Sequence, residues 1–248
     1  MNKPEYIGEA DWKLLHQKYG NDLPQEIEKK LLENYPIQYL IGNVDFYNSN
    51  ILVNENVLIP RFETELLVKK TIDYVKSGQI SPATIIDLAT GSGAIAISLS
   101  KEFMKPIDAL DISKDALSLA IKNSKINNTN INFIQADILN DEIQLNHTLI
   151  ISNPPYVRFD EIIDERTKYE PKIALYADKN GLEFYERIIK LSTKNKQNKF
   201  TLAFEIGDQQ GNDIKKLIYS TYPKSRVLIE KDYTGKDRFI FGFISKSE

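Results

Sequence analysis

The stretch Ile85-Ile86-Asp87-Leu88-Ala89-Thr90-Gly91-Ser92-Gly93, running on into Ala94 to Phe103, decides how this chain folds. Ile85 to Ala89 reads as a strand, Thr90 to Gly93 as a tight loop, and Ala94 to Phe103 as a helix. Glycines in such a loop permit φ > 0 and let a ligand come close to the backbone. The helix that follows points its first free N–H groups at whatever sits there. The loop is neither the full three-glycine dinucleotide fingerprint nor the lysine-bearing phosphate loop, which counts against an ATPase.

Downstream the same alternation continues. Ile107 to Asp111 is a second strand, and Ser113 to Ile126 a helix with Ser113 as its N-cap. Ile131 to Ala136 is a third strand ending at Asp137, and Thr148 to Ser152 a fourth ending at Asn153-Pro154-Pro155-Tyr156. Two prolines cannot extend a sheet ladder, so that tetrapeptide is a stiff polar corner. A helix at Leu182 to Leu191, a strand at Phe200 to Ile206 and a helix at Asp208 to Tyr219 follow. Arg226 to Glu230 and Arg238 to Ile244 close the chain as a strand pair without a helix between them, which implies an antiparallel edge. The pattern is α/β, a doubly wound, mostly parallel sheet.

Upstream, Ala10 to Tyr35 is a short helical segment broken at Gly20 to Pro24, too short to bury a core alone. Val44 with Phe46 and Ile51 with Val53 suit a β-hairpin turning at Tyr47 to Asn50, and a helical pattern starts near Leu66. Thr64 or Glu63 falls at that helix's N-terminus, and Arg61 with Glu63 reads equally as an ordinary surface pair. The expected division is a helical segment at 1–35, a hairpin linker at 36–65 and the main domain at 66–248.

Composition narrows the chemistry. The 248 residues carry a formal net charge of −3 and no cysteine, so disulfides, thiolate nucleophiles and cysteine metal sites are excluded. His16 and His147 lie far apart, no metal is expected, and His147 reads as a strand-edge residue. The sequence pI near 5.6 gives no global attraction to nucleic acid or to an anionic membrane. With no signal-like leader and no run of membrane-spanning length, the expected location is the cytoplasm. The lysine-bearing stretch Ser192 to Lys199 reads as a solvated loop.

Four strand ends thus carry Ala89-Thr90-Gly91-Ser92-Gly93, Asp111, Asp137 and Asn153. Asp111 stands where an acidic residue binds ribose hydroxyls, and Asp137 where one reaches an adenine amine or caps the next turn. Together they describe a crevice for an adenosine-type cofactor beside a polar corner. NAD would call for an acid–base residue such as His, Lys or Tyr at a strand end, for which the tetrapeptide is an odd choice; S-adenosylmethionine fits better, because its methyl is already activated. The Asn153 side-chain oxygen and the Pro154 carbonyl suit acceptance of hydrogen bonds from a planar –NH2 group, with Tyr156 stacking on it.

In these residues the chain resembles the bacterial release factor glutamine methyltransferases. The likeness runs from Pro36-Ile37-Gln38-Tyr39-Leu40-Ile41-Gly42 through Leu58 to Glu65, Asp87 to Ile97 and Asn153 to Tyr156. It continues through Tyr169-Glu170-Pro171, Ala174-Leu175, Gly181-Leu182, Glu205, Gly207 and Gln210-Gly211. The resemblance implies a Rossmann-like class I S-adenosylmethionine-dependent methyltransferase fold. It implies that Ala89 to Gly93 and Asp111 hold the cofactor, with Ile138 beside the adenine. It also implies that Asn153, Pro154, Pro155 and Tyr156 hold the glutamine of a Gly-Gly-Gln tripeptide in class I peptide chain release factors. The products would be N5-methylglutamine and S-adenosylhomocysteine. Two departures stand out: Ala89 replaces a glycine, and the helical segment before Pro36 is shorter than the family's. The rival readings are a DNA or RNA amino-methyltransferase acting on adenine N6 or guanine N2, and a silent cofactor-fold module that binds a translation partner. The acidic balance and the lack of a recognition domain weigh against direct nucleic-acid binding.

Overall fold

The computed structural model describes residues 2–246. Its centre is a seven-stranded sheet in the order β5-β4-β3-β6-β7-β9-β8, formed by β3 (Ile85–Leu88), β4 (Ile107–Asp111), β5 (Ile131–Gln135), β6 (Leu149–Ser152), β7 (Lys199–Glu205), β8 (Arg226–Lys231) and β9 (Asp237–Ser245). β5, β4, β3, β6 and β7 are parallel, whereas β9 runs antiparallel to both β7 and β8. The sequence reading expected this antiparallel closure. The chain winds outward from β3 through β4 to β5, then returns to β6 on the other flank of β3. The reversal of strand order therefore falls between β3 and β6, and in open α/β sheets ligands bind beyond the strand ends at that point.

Each face of the sheet is covered. α4 (Phe62–Lys76), α5 (Ala94–Phe103) and α6 (Lys114–Ile126) pack on one side, burying Leu67, Val68, Ile72, Ile97 and Leu99 against Ile85 and Ile151. On the other, α8 (Glu183–Ser192) and α9 (Gly211–Thr221) bury Tyr185, Ile188, Ile214 and Ile218 against Ile86, Leu88 and Leu202. Alternation along β3 divides its apolar side chains between the two cores, and each buried aliphatic residue contributes roughly 1.5–3 kcal/mol by leaving water. Between β7 and α8 the stretch read as a solvated loop is pinned by buried Asn195, whose Nδ2 donates to the His147 carbonyl at 2.8 Å. His147 itself meets Asp108 at 2.8 Å, a structural contact near the start of β4.

The N-terminal helices α1 (Glu9–Tyr19) and α2 (Gln25–Leu32) are where the periodicity predicts them, separated by Gly20 to Pro24. A one-turn helix, α3 (Ile37–Ile41), was not expected; five residues show no readable period. Ile37, Leu40 and Ile41 join Leu15, Ile27 and Leu31 in one apolar cluster, so this layer extends past the expected division at residue 35. The Lys18 ammonium donates to the Leu40 and Ile41 carbonyls, both at 2.9 Å, and satisfies the open end of α3. The hairpin β1 (Asn43–Phe46) and β2 (Ser49–Leu52) turns at Tyr47-Asn48 and buries Phe46 and Ile51 in the main core. Asn123 of α6 treats the hairpin as a partner strand. Its Oδ1 accepts from Leu52 N at 2.8 Å, and its Nδ2 donates to Leu52 O at 3.0 Å and to Ser92 O at 2.9 Å.

Candidate active site

Beyond the carboxyl ends of β3, β4, β5 and β6 lies a cavity of about 310 Å3. Of the residues singled out in sequence, Ala89, Thr90, Gly91, Ser92, Asp111, Asp137, Ile138, Asn153 and Pro155 line it. A second, smaller chamber of about 60 Å3 adjoins it, walled by Pro154, Tyr156, Glu205, Arg61 and Leu58. Asn153 belongs to both, so the tetrapeptide forms the partition between them. Gly93 lines neither: an added Cβ there would come within 3.2 Å of Ala120, so this glycine serves the contact between α5 and α6.

The larger cavity is built by short-range order. Asp87, fully buried on β3, accepts from the Thr90 hydroxyl at 2.5 Å and from Ala96 N at 3.2 Å, tying the loop to the start of α5. Burial pushes its carboxyl up to about 7, against those two hydrogen bonds, and its other oxygen has no partner among the described residues. The loop bends as the glycines suggest, with Gly91 at φ 55°, but Ala89 also adopts φ 55°. A side chain in that left-handed region costs about 1 kcal/mol, so the departure at Ala89 is held by its surroundings. At Gly91 an added Cβ would meet nothing within 4 Å; the loop backbone faces open cavity there.

Asp111 reaches across to accept from Gly91 N at 2.8 Å and Ser113 N at 2.9 Å. Burial raises its pKa while these N–H groups oppose the rise. Asp137 caps its own turn, accepting from Leu139 N at 2.8 Å and Asn140 Nδ2 at 2.7 Å, while still standing on the cavity wall. Arg187 of α8, unremarked in sequence, clamps the same turn through the Ile138 carbonyl at 3.0 Å and the Asp141 carbonyl at 2.8 Å.

The smaller chamber is assembled from distant segments. Asn153 Nδ2 donates to Thr64 Oγ1 at 3.0 Å, and the Thr64 hydroxyl donates to Glu205 Oε2 at 2.7 Å. The other Glu205 oxygen accepts from the Tyr156 hydroxyl at 3.3 Å. Asn153 Oδ1 accepts no hydrogen bond among the described residues, and its residue lines both chambers. Behind the partition, Gln210 Nε2 donates to the Tyr156 carbonyl at 2.9 Å. Gly181 packs so tightly there that a Cβ would lie 2.1 Å from the same oxygen.

Arg61 is not the surface partner of Glu63. Its guanidinium pairs with the buried carboxylate of Glu170, which also accepts from Ile59 N at 3.3 Å. The pair ties the start of α4 to the long connection after β6, whose 3-10 turn at Glu165–Tyr169 has no periodic signal in the sequence. The sequence places Thr64 near a helix N-terminus and Glu205 on a strand, and sets neither in the site. Nothing local marks them, since 141 positions separate them.

Residues 63–167 match the methyltransferase small domain family. The chain is 38% identical over 238 residues to the release factor glutamine methyltransferase of Enterococcus faecalis, covering 91% of this chain and 83% of that protein. With the enzyme of the same description from Lactococcus lactis the identity is 37% over 244 residues, covering 97% and 88%. Among solved structures, a methyltransferase from Pyrococcus furiosus shares the fold at a TM-score of 0.60 and 16% identity, over 90% of this chain and all 100% of that one.

Proposed function

Because the chain belongs to the release factor glutamine methyltransferases, we propose that its two chambers bring a methyl donor and a glutamine side chain together across Asn153. The enzyme methylates a glutamine of a peptide chain release factor. The finer reading is that the donor is S-adenosylmethionine, that the acceptor is the side-chain nitrogen (N5) of the Gly-Gly-Gln glutamine of class I factors, and that the reaction takes place in the cytoplasm. Among the described residues no helix is long and apolar enough to cross a membrane.

S-adenosylmethionine, when bound, supplies a methyl group on a positively charged sulfur, an electrophile already activated. The larger cavity fits such a donor: Asp111 offers carboxylate oxygens to ribose hydroxyls, Ile138 an apolar surface to adenine, and the open space at Gly91 a backbone to approach. On the acceptor side an amide nitrogen is a poor nucleophile because its lone pair is delocalised. Asn153 Oδ1 and the Pro154 carbonyl accept its two N–H bonds, fix its direction and favour a less delocalised lone pair. Tyr156, its hydroxyl held by Glu205, presents its ring as a wall for the planar group. Once methylated the nitrogen sheds its proton readily, so no strong base is needed.

The observation that carries this reading is the Asn153 amide, shared by both chambers and anchored at its nitrogen. The test is transfer of label from radioactive S-adenosylmethionine to a release factor, a copy with the tripeptide glutamine replaced, DNA and tRNA. Label on the intact factor alone is expected. Label on the altered factor removes the proposed acceptor, and label on nucleic acid turns the reading toward an amino-methyltransferase of bases.

A further inference from the structure

We propose that Glu205 is a positioning residue for the transfer, its carboxylate acting through the Thr64 hydroxyl to fix which end of the Asn153 amide meets the substrate. The inference rests on the reading of Asn153 Oδ1 as the acceptor of the glutamine –NH2 group. An ionised carboxylate can only accept hydrogen bonds. The single Thr64 proton, 2.7 Å from Glu205 Oε2, is therefore committed to Glu205. That leaves Thr64 Oγ1 as an acceptor, and only the nitrogen end of Asn153 can face it at 3.0 Å. Oδ1 is then turned to the chamber.

Protonation of Glu205 at Oε2 reverses each bond in the chain. Glu205 donates to Thr64, the Thr64 proton is released toward Asn153, and the side chain favours placing Oδ1 there. Nδ2 then faces the chamber, a donor set against a donor.

The groups around Glu205 put this change in the neutral range. Thr64 and Glu63 come from α4, Tyr156 from the tetrapeptide, Tyr185 from α8 and Arg238 from β9, and Arg61 stands across the chamber. Burial raises the Glu205 carboxyl to about 7; the Thr64 hydrogen bond and Arg238 oppose the rise, and Glu63 adds to it.

The experiment is kcat for methyl transfer to a release factor between about pH 5.5 and 9, with both substrates saturating. The wild-type rate is expected to climb through one ionisation as Glu205 loses its proton, falling about tenfold per unit below the midpoint. Glu205→Gln, which cannot titrate, should abolish that dependence, and Glu205→Met, which offers the Thr64 proton no oxygen acceptor, should also lower kcat at least about tenfold at the alkaline plateau. Thr64→Val should do the same with the cofactor KM within about threefold, and Thr64→Ser should restore both rate and pH curve. A flat wild-type profile, an unchanged midpoint in Glu205→Gln, or a wild-type rate in Thr64→Val would each overturn the proposal. If Glu205→Gln does not fold, the two Thr64 variants decide it. Asn153→Ala separates the two readings: turnover in that variant defeats the assigned role of Asn153. Loss of turnover beside a flat wild-type profile defeats the Glu205 proposal alone.

Discussion

Two buried carboxyls, Asp87 and Glu205, sit beneath the two halves of the crevice, and burial raises both to about 7. Asp87 supports the wall of the larger chamber, and its partners Thr90 and Ala96 lie 3 and 9 positions away. Glu205 lines the smaller chamber, and its partners Tyr156 and Thr64 lie 49 and 141 positions away. One support can form as soon as a single strand–loop–helix unit has folded. The other exists only when α4, β6 and β7 have all docked. The larger chamber thus rests on a local motif, and the smaller one on the completed sheet.

The largest effect that would sharpen this contrast is on stability. Each carboxyl has a folded pKa above its unfolded value near 4, so its contribution is fully present below about pH 4 and is lost as pH rises through about 7. The difference is on the order of 4 kcal/mol for each. In urea titrations, Asp87→Asn and Glu205→Gln should therefore gain stability relative to wild type as pH rises from about 5 to 9. Parallel pH curves for variant and wild type would remove that carboxyl from the account.

Next comes Asn153→Ala, expected to lower kcat at least about 100-fold, or roughly 3 kcal/mol, while calorimetric affinity for the donor stays within a few-fold. Asp111→Ala should show the converse, weakening donor affinity about 10- to 100-fold, roughly 1.5–3 kcal/mol, with little change in saturated kcat. If the two variants affect the same parameter, the halves are not separable. The smallest effect concerns the loop backbone. Ala89→Gly should relieve the left-handed strain by about 1 kcal/mol and raise Tm by about 2–4 °C.

The same division explains what could be read from the sequence. Strands β3 and β4, the Ser113 cap and the glycine turn are short-range patterns, and each stands where it was expected within about one residue. The doubly wound, mostly parallel class followed from the alternation, whereas the strand order that sets Asn153 next to the glycine loop is visible only in the fold. Chemistry made across the sheet was not legible. The Arg61–Glu170 pair spans 109 positions, and Arg61 was set beside its near neighbour Glu63 for want of any local sign. Spacing also gives no sign that Gly93, at φ 84°, packs so closely on α6 that an added Cβ would come within 3.2 Å of Ala120. The left-handed turn at Lys179, Asn180 and Gly181, which backs the tetrapeptide, carried no periodic signal at all.

Asn123 joins regions that the chain keeps apart. Its one side chain holds Leu52 of the hairpin and the Ser92 carbonyl of the glycine loop. The Leu52 amide proton can exchange with solvent only when that bond opens, and the opening also frees one side of the loop. A donor that orders Ser92 should therefore slow deuterium uptake at Leu52, a position that lines neither chamber. The hairpin then serves as a remote reporter of occupancy, readable without following the methyl group.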